Sequence, residues 1–149
     1  MAGGTFTTMI QAPPEQVWAL VADIGTHGSW SPKKCTVEWV HGQPNQVGST
    51  FRSVGWIPGK SNNENTSEVT ERVEPTKFAF RSTDPAGVFL NEYDLRPVGD
   101  GATEVAFTLT FPEMHGMAAL AVPIAFPMFG KPDIRKRLAM LKQMVEARS

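Results

Sequence analysis

A chain of 149 residues suits one domain and leaves little for a second. A domain of about this size buries roughly 68–70% of its unfolded surface, so a core forms without staples. Fourteen Lys and Arg against fifteen Asp and Glu give a net charge of −1, which excludes a global field that would recruit nucleic acid or an acidic substrate. The single Cys35 excludes an internal disulfide framework and a multi-cysteine zinc site, and a reducing, cytoplasmic setting is expected.

Residues 1–23 carry neither a basic n-region nor an uninterrupted apolar stretch, so no signal peptide is read there, and the mature chain is expected to begin at Met1 or Ala2. Thr5 to Gln11 is rich in β-formers and reads as a first strand, preceded by a disordered start and ended by Ala12-Pro13-Pro14. Pro14 suits a first helical turn, Glu15 favours the positive end of the helix dipole, and Val17, Val21 and Ile24 share one face beside Trp18. The segment from Ile24 to Pro32 is too short and too rich in Gly, Ser and Pro for a long helix, and reads as a turn or single helical turn.

From Lys34 to Phe111 the period is two. Six strands fit, near Cys35 to Val40, Gly48 to Ile57, Thr66 to Val73, Lys77 to Ser82, Val88 to Arg96 and Thr103 to Phe111. Turn chemistry separates them at Gly42 to Asn45, Pro58 to Lys60, Glu74-Pro75, Asp84 to Gly87 and Gly99 to Gly101. The alternation assigns Val37, Trp39, Val69, Val73, Phe78, Phe80, Phe89, Tyr93, Leu95, Val105, Phe107, Leu109 and Phe111 to the buried face. Glu38, Thr70, Arg72, Arg81, Glu92, Asp94 and Glu104 fall on the solvent face, and the same parity carries two polar residues, Glu71 and Asn91, inward.

Met114 to Gly130 holds no Asp, Glu, Lys or Arg. It falls short of the roughly 20 apolar residues of a membrane span, and Pro123 and Pro127 each cost about 3 kcal/mol inside a helix. A buried or mouth-lining segment is therefore expected. Pro132 opens a last helix whose Ile134, Leu138, Leu141 and Val145 form one apolar stripe, with Arg135, Lys136, Arg137 and Lys142 mostly off it. A seven-stranded antiparallel sheet must bury one face, and this helix is the element long enough to cover it. The sheet should curl around the helix, and an incomplete wrap leaves a cavity between them.

The element order, together with Ala12 to Asp23 (APPEQVWALVAD), Gly25, Trp30-Ser31-Pro32, Gly48 with Phe51 and Arg52, the run Gly101 to Val105 and the closing Leu138 to Ala147, resembles the polyketide cyclase/dehydrase and lipid-transport family. That family is part of the START-like, Bet v 1-like superfamily. The resemblance spans nearly the whole chain and implies an α+β helix-grip fold with a pocket for an apolar ligand. It leaves the chemistry open, because a fold does not fix a function.

Four Trp, nine Phe and seven Met supply apolar and adaptable surface. The residues taken as ligand-lining are Trp39, Val69, Phe78, Phe80, Phe89, Asn91, Tyr93, Phe107 and Leu109 on the strands, Leu138 and Leu141 on the helix, and Trp30, Trp56, Met114, Met117 and Met128 near element ends, where a mouth would form; Phe129 lies near that end too. Core packing is the competing reading for each. Proton transfer in a cyclase or dehydratase needs an acid or base in a dry pocket. The candidates are Glu71 and Tyr93, with Asn91 to hydrogen-bond a carbonyl or enolate oxygen, and His27 and His115 reaching from the rim. The single Tyr and the mostly outward parity of Arg52, Arg72, Arg81 and Arg96, with Arg52 the least fixed because a bulge at Gly55 would shift its register, depart from the polar pocket of the family's aromatic cyclases.

The three histidines and Cys35 show no short-range ligand pairing, so neither metal nor cofactor is expected. The sequence thus reads as a binder or carrier of a small hydrophobic molecule such as a lipid, isoprenoid or polyketide-like compound. A cyclase/dehydratase is the second reading and a ligand-independent interaction module with a filled core the third. No nucleic-acid partner is expected. Docking of the Met114 to Gly130 rim on anionic lipid through Lys131, Arg135, Lys136 and Arg137 is subsidiary to closure of the pocket by that run.

Overall fold

A computed structural model describes residues 2–31, 35–57, 60–84 and 87–148. Strand β1 (Ala2–Ile10) is followed by helix α1 (Pro14–Val21) and a 3-10 helix (Ile24–Trp30). Six strands then run in sequence: β2 (Cys35–His41), β3 (Thr50–Ile57), β4 (Lys60–Val73), β5 (Lys77–Asp84), β6 (Gly87–Val98) and β7 (Ala102–Met114). Helix α2 (Met117–Ala125), a π-helical turn (Phe126–Gly130) and helix α3 (Lys131–Arg148) close the chain. The sheet order is β1-β7-β6-β5-β4-β3-β2, antiparallel throughout, so β2 to β7 form a meander and β1 joins β7.

The α3 stripe Ile134, Leu138, Leu141 and Val145 is buried against the sheet. Its flank holds the free edge of β1. Lys142 Nζ donates to the Met9 carbonyl at 2.9 Å, and Glu146 accepts from the Gln11 amide at 2.8 Å. An exposed row of strand donors and acceptors is thereby partly covered. The strand itself begins at Ala2, earlier than the sequence suggests, because Gly3 at φ 139 lets the backbone lie against the Leu109 carbonyl where a Cβ would collide.

Helix α1 buries Val17, Trp18, Leu20 and Val21, with the Trp18 ring edge-on to Phe78 at 6.2 Å. The 3-10 helix that follows is capped by Asp23, whose Oδ1 accepts from the Gly25 amide at 3.1 Å. Asn45 sits in the left-handed region at φ 68 in the β2–β3 turn and ties three parts together. Its Oδ1 accepts from the Ile24 amide at 2.9 Å, and its carbonyl accepts from Arg72 at 3.1 Å.

Strand β4 corrects the parity reading. The register shifts between Val69 and Glu71, so Val69 faces Phe80 while Glu71 faces Ala79. One extra residue reverses the faces beyond it. Glu71 is consequently exposed and pairs with Lys77 at 3.6 Å, and Val73 is half exposed. Arg72 comes round to lie over the Trp18 ring at 5.6 Å instead of facing solvent. Before the bulge alternation holds: Arg81 pairs with Glu68 at 3.0 Å, as Arg52 does with Glu38 at 3.2 Å. The strand also starts at Lys60 rather than Thr66. The expected turn residues Pro58, Gly59, Pro85 and Ala86, and Pro32 of the early loop, lie outside the described residues.

Candidate functional site: an amphipathic cavity under helix α2

A cavity of about 420 Å³ lies between the concave sheet and the last helical segments. Its apolar lining is Phe89, Phe107, Leu109 and Phe111 from β6 and β7, closed by Val122 of α2 and Phe126 and Gly130 of the π-helical turn. Phe126 stands edge-on to Phe111 at 5.1 Å, and Gly130 is required where it is, because a Cβ there would strike the Phe126 ring. A π-turn widens the helix by one residue and here aims both positions at the cavity.

Polar groups share this lining. Asn65, Ser82, Asp84 and Asn91 contribute from β4, β5 and β6, and α3 contributes Asp133, Ile134 and Arg137. The sheet residues belong to a row across four strands. Ser53 Oγ donates to Asn65 Oδ1 at 2.6 Å, Ser67 Oγ donates to the same oxygen at 3.2 Å and lies 2.7 Å from Ser82 Oγ, and Asn91 Nδ2 donates to Ser82 Oγ at 3.5 Å. Buried polar atoms are satisfied by one another here, which lets an inner sheet face carry polarity without a large desolvation cost. Asp84 accepts from the Gly87 amide at 3.2 Å, and Asp133 stands 3.8 Å from Arg137 on the next turn of α3.

Beyond the cavity, under α1 and the 3-10 helix, the groove is filled. Trp30, Tyr93 and Phe78 are fully buried there, with Trp30 edge-on to Tyr93 at 6.0 Å and Tyr93 against Phe107 at 4.6 Å. The His27 imidazole does not reach from the rim. It packs against Trp30 at 4.4 Å and Tyr93 at 5.8 Å, and Nε2 donates to the Val21 carbonyl at 2.8 Å. Burial lowers its pKa to about 4; the Val21 bond opposes that shift and Arg137 adds to it. Burial pushes the Tyr93 phenol above its ordinary value, while the Arg137 guanidinium beside it pulls the other way. The Tyr93 hydroxyl and Arg137 Nε are buried without a well-formed hydrogen bond. Arg137 reaches the cavity from α3, and Tyr93 stands behind it in the packed core.

Of the candidates read from sequence, Phe89, Asn91, Phe107 and Leu109 line this cavity. Val69, Phe78, Tyr93, Trp30, Leu138 and Leu141 lie in the packed core instead, because the early helices fill their half of the groove. Trp39 and Phe80 are partly buried against that core, as is Met114. Glu71 is on the outer face, for the register reason given above. His115 is exposed, 3.5 Å from Glu113, and Met117 and Met128 point to solvent. Trp56 and Phe129 lie outside the residues whose side chains are described. Among the described residues no three His, Cys, Asp or Glu side chains converge as a metal site.

The sequence reading missed Arg137, Asp133, Asn65, Ser82 and Asp84. Signals existed. Ser82 and Asp84 continue the alternation of Phe78 and Phe80, and Asp133 and Arg137 form an i, i+4 pair flanking the apolar stripe.

The model of the family described as polyketide cyclase/dehydrase and lipid transport matches residues 1–146. The chain belongs to that family. Its fold is shared by the Zhui aromatase/cyclase from Streptomyces sp. R1128, with a TM-score of 0.80 at 18% identity over 99% of this chain and 94% of that one. A protein from Thermus thermophilus gives a TM-score of 0.79 at 20% identity over 99% of both chains. The di-domain aromatase/cyclase StfQ of steffimycin biosynthesis gives 0.73 at 17% identity, covering 97% of this chain and 45% of the larger protein. At these identities the likeness establishes the helix-grip fold. Among curated proteins none matches in sequence.

Proposed function

We propose that this family member binds a small, mainly apolar molecule carrying neutral oxygens in the cavity under α2. The observation that carries this reading is the mixed lining of the cavity: Phe89, Phe107, Leu109, Phe111, Val122 and Phe126 share it with Asn65, Ser82, Asn91 and Arg137, with Asn91 beside Phe89 on β6 and paired with Leu109 on β7. Ligand pockets are mostly apolar with a few placed polar groups that fix orientation. Asp84 and Asp133 offset Arg137, so the polar lining favours a hydroxyl or carbonyl over a free anion. An open cavity also disfavours the interaction-module reading, which requires a filled core.

Catalysis of the cyclase or dehydratase type is the second reading. Arg137, which lines the cavity, favours it, since a guanidinium can hydrogen-bond a developing enolate. The family description and the aromatase/cyclase structural neighbours support both readings.

An environment-sensitive apolar dye tests the binding reading. It should bind the wild type stoichiometrically, and Leu109→Trp, which fills the cavity from its apolar lining, should reduce binding at least tenfold without loss of cooperative unfolding. Equal binding by both proteins would place the dye elsewhere and remove the support. Turnover of a poly-ketone substrate lost in Arg137→Gln, with binding reduced only slightly, would move the assignment to the enzyme reading.

A further inference from the structure

Among the described residues nothing covers the outer face of α2. Met117 is 78% exposed, Leu120 70% and Met128, in the π-helical turn, 63%. Ala121, Pro123 and Pro127 are exposed as well. Val122 and Phe126, from the same segment, line the cavity, so the roof is apolar on both sides. Contiguous apolar surface of this kind on a folded chain marks an interaction site. No acidic residue lies between Met114 and Gly130, and Lys131, Arg135 and Lys136 follow in α3, where the intervening Asp133 is paired with Arg137 at 3.8 Å. Arg135 and Lys136 are exposed and Lys131 is partly so.

We infer that this roof docks on an anionic lipid surface, with Met117, Leu120 and Met128 entering the headgroup boundary and Lys131, Arg135 and Lys136 beside them meeting lipid charge. An apolar helix face bordered by cations is the pattern of an interfacial segment. No helix among the described residues is long and apolar enough to cross a membrane, and at nine residues α2 lies on the surface instead. A second copy of the chain fits this face poorly. A two-fold contact through it would bring the cations of both copies together without acidic partners from the segment. Docking would set the cavity's roof against the bilayer, where an apolar ligand passes in or out without crossing water. The inference stands on the surface and does not depend on which molecule the cavity holds.

Co-sedimentation with vesicles of phosphatidylcholine containing phosphatidylglycerol, compared with phosphatidylcholine alone, tests it at low and physiological salt. The wild type should sediment with the anionic vesicles and release as salt rises. Each cation near an anionic surface contributes about a factor of five, so Lys131→Gln with Lys136→Gln should weaken binding roughly 25-fold. Leu120→Ser, at an exposed position that leaves folding intact, should weaken it at least fivefold. Leu109→Trp, altered only inside the cavity, should bind vesicles as the wild type does, which separates docking from ligand capture. Absence of binding to anionic vesicles at low salt overturns the inference. So does a concentration-dependent dimer in sedimentation velocity that Leu120→Ser returns to monomer, since a second copy would then cover the face.

Discussion

His27 and Tyr93 show how burial changes what a side chain can do. A histidine held at a pKa of about 4 in the folded state and near 6.5 when unfolded is neutral in the native protein at physiological pH. The unfolded chain binds a proton below pH 6.5 that the folded chain accepts only near pH 4. Stability is therefore fully present above pH 6.5 and is lost as pH falls from 6.5 to 4, by on the order of 1–3 kcal/mol. Thermal unfolding across that window should show a falling Tm for the wild type and a flatter profile for His27→Gln, which keeps a donor for the Val21 carbonyl. Identical slopes would mean that His27 is not the group responsible.

Tyr93 gives the opposite test. Its hydroxyl is buried without a well-formed bond, so removing it should cost little stability. Tyr93→Phe should unfold within about 0.5 kcal/mol of the wild type and leave ligand affinity unchanged, because the ring lies in the packed core outside the cavity lining. A destabilisation of about 2 kcal/mol would show instead that the hydroxyl is bonded in the folded chain.

At the scale of elements, two local irregularities build the site. The extra residue in β4 turns Glu71 outward and brings Arg72 onto Trp18, so a carboxylate that strict alternation places in the pocket is absent from it. Alternation read the strands correctly up to that bulge and failed beyond it, because nothing in Val69-Thr70-Glu71 distinguishes a bulge from a regular strand. The second irregularity is the π-helical turn, which sets the Phe126 ring against Gly130. Gly130→Ala should push that ring toward the cavity, lowering dye binding several-fold while the far-ultraviolet spectrum is unchanged. Normal binding would show that the ring yields elsewhere. The α3 stripe was fully legible, since a 3.6-residue period over four buried positions has no competing explanation. Its flanking Arg137 was not, because periodicity alone does not separate a residue at the margin of a buried face from one in solvent.

For the whole molecule, the order of strands, first helix and last helix is legible in the sequence because turn chemistry punctuates the strands and one amphipathic helix is long enough to cover their sheet, whereas α2 and the π-helical turn are not, because Pro123 and Pro127 argue against a helix there. The division of the interior is not legible either. Which half of the groove is filled depends on how α1 and the 3-10 helix seat Trp18, Trp30 and His27 against Phe78 and Tyr93, a three-dimensional packing outcome that alternation does not encode. The filled half supports the fold, and the half between β5–β7 and α2 stays open. That open space of about 420 Å³, lined by both aromatic and polar side chains, is the feature that any functional account must explain.

Native mass spectrometry of gently purified protein, with solvent extraction of whatever is carried, tests that account most directly. The account predicts that the wild type retains or takes up one apolar, oxygen-bearing molecule per chain, either from the cell or from a panel of lipids and aromatic ketones, and that Leu109→Trp does not. A clean apo mass for the wild type after incubation with the whole panel, or equal loading of the Leu109→Trp variant, would contradict it.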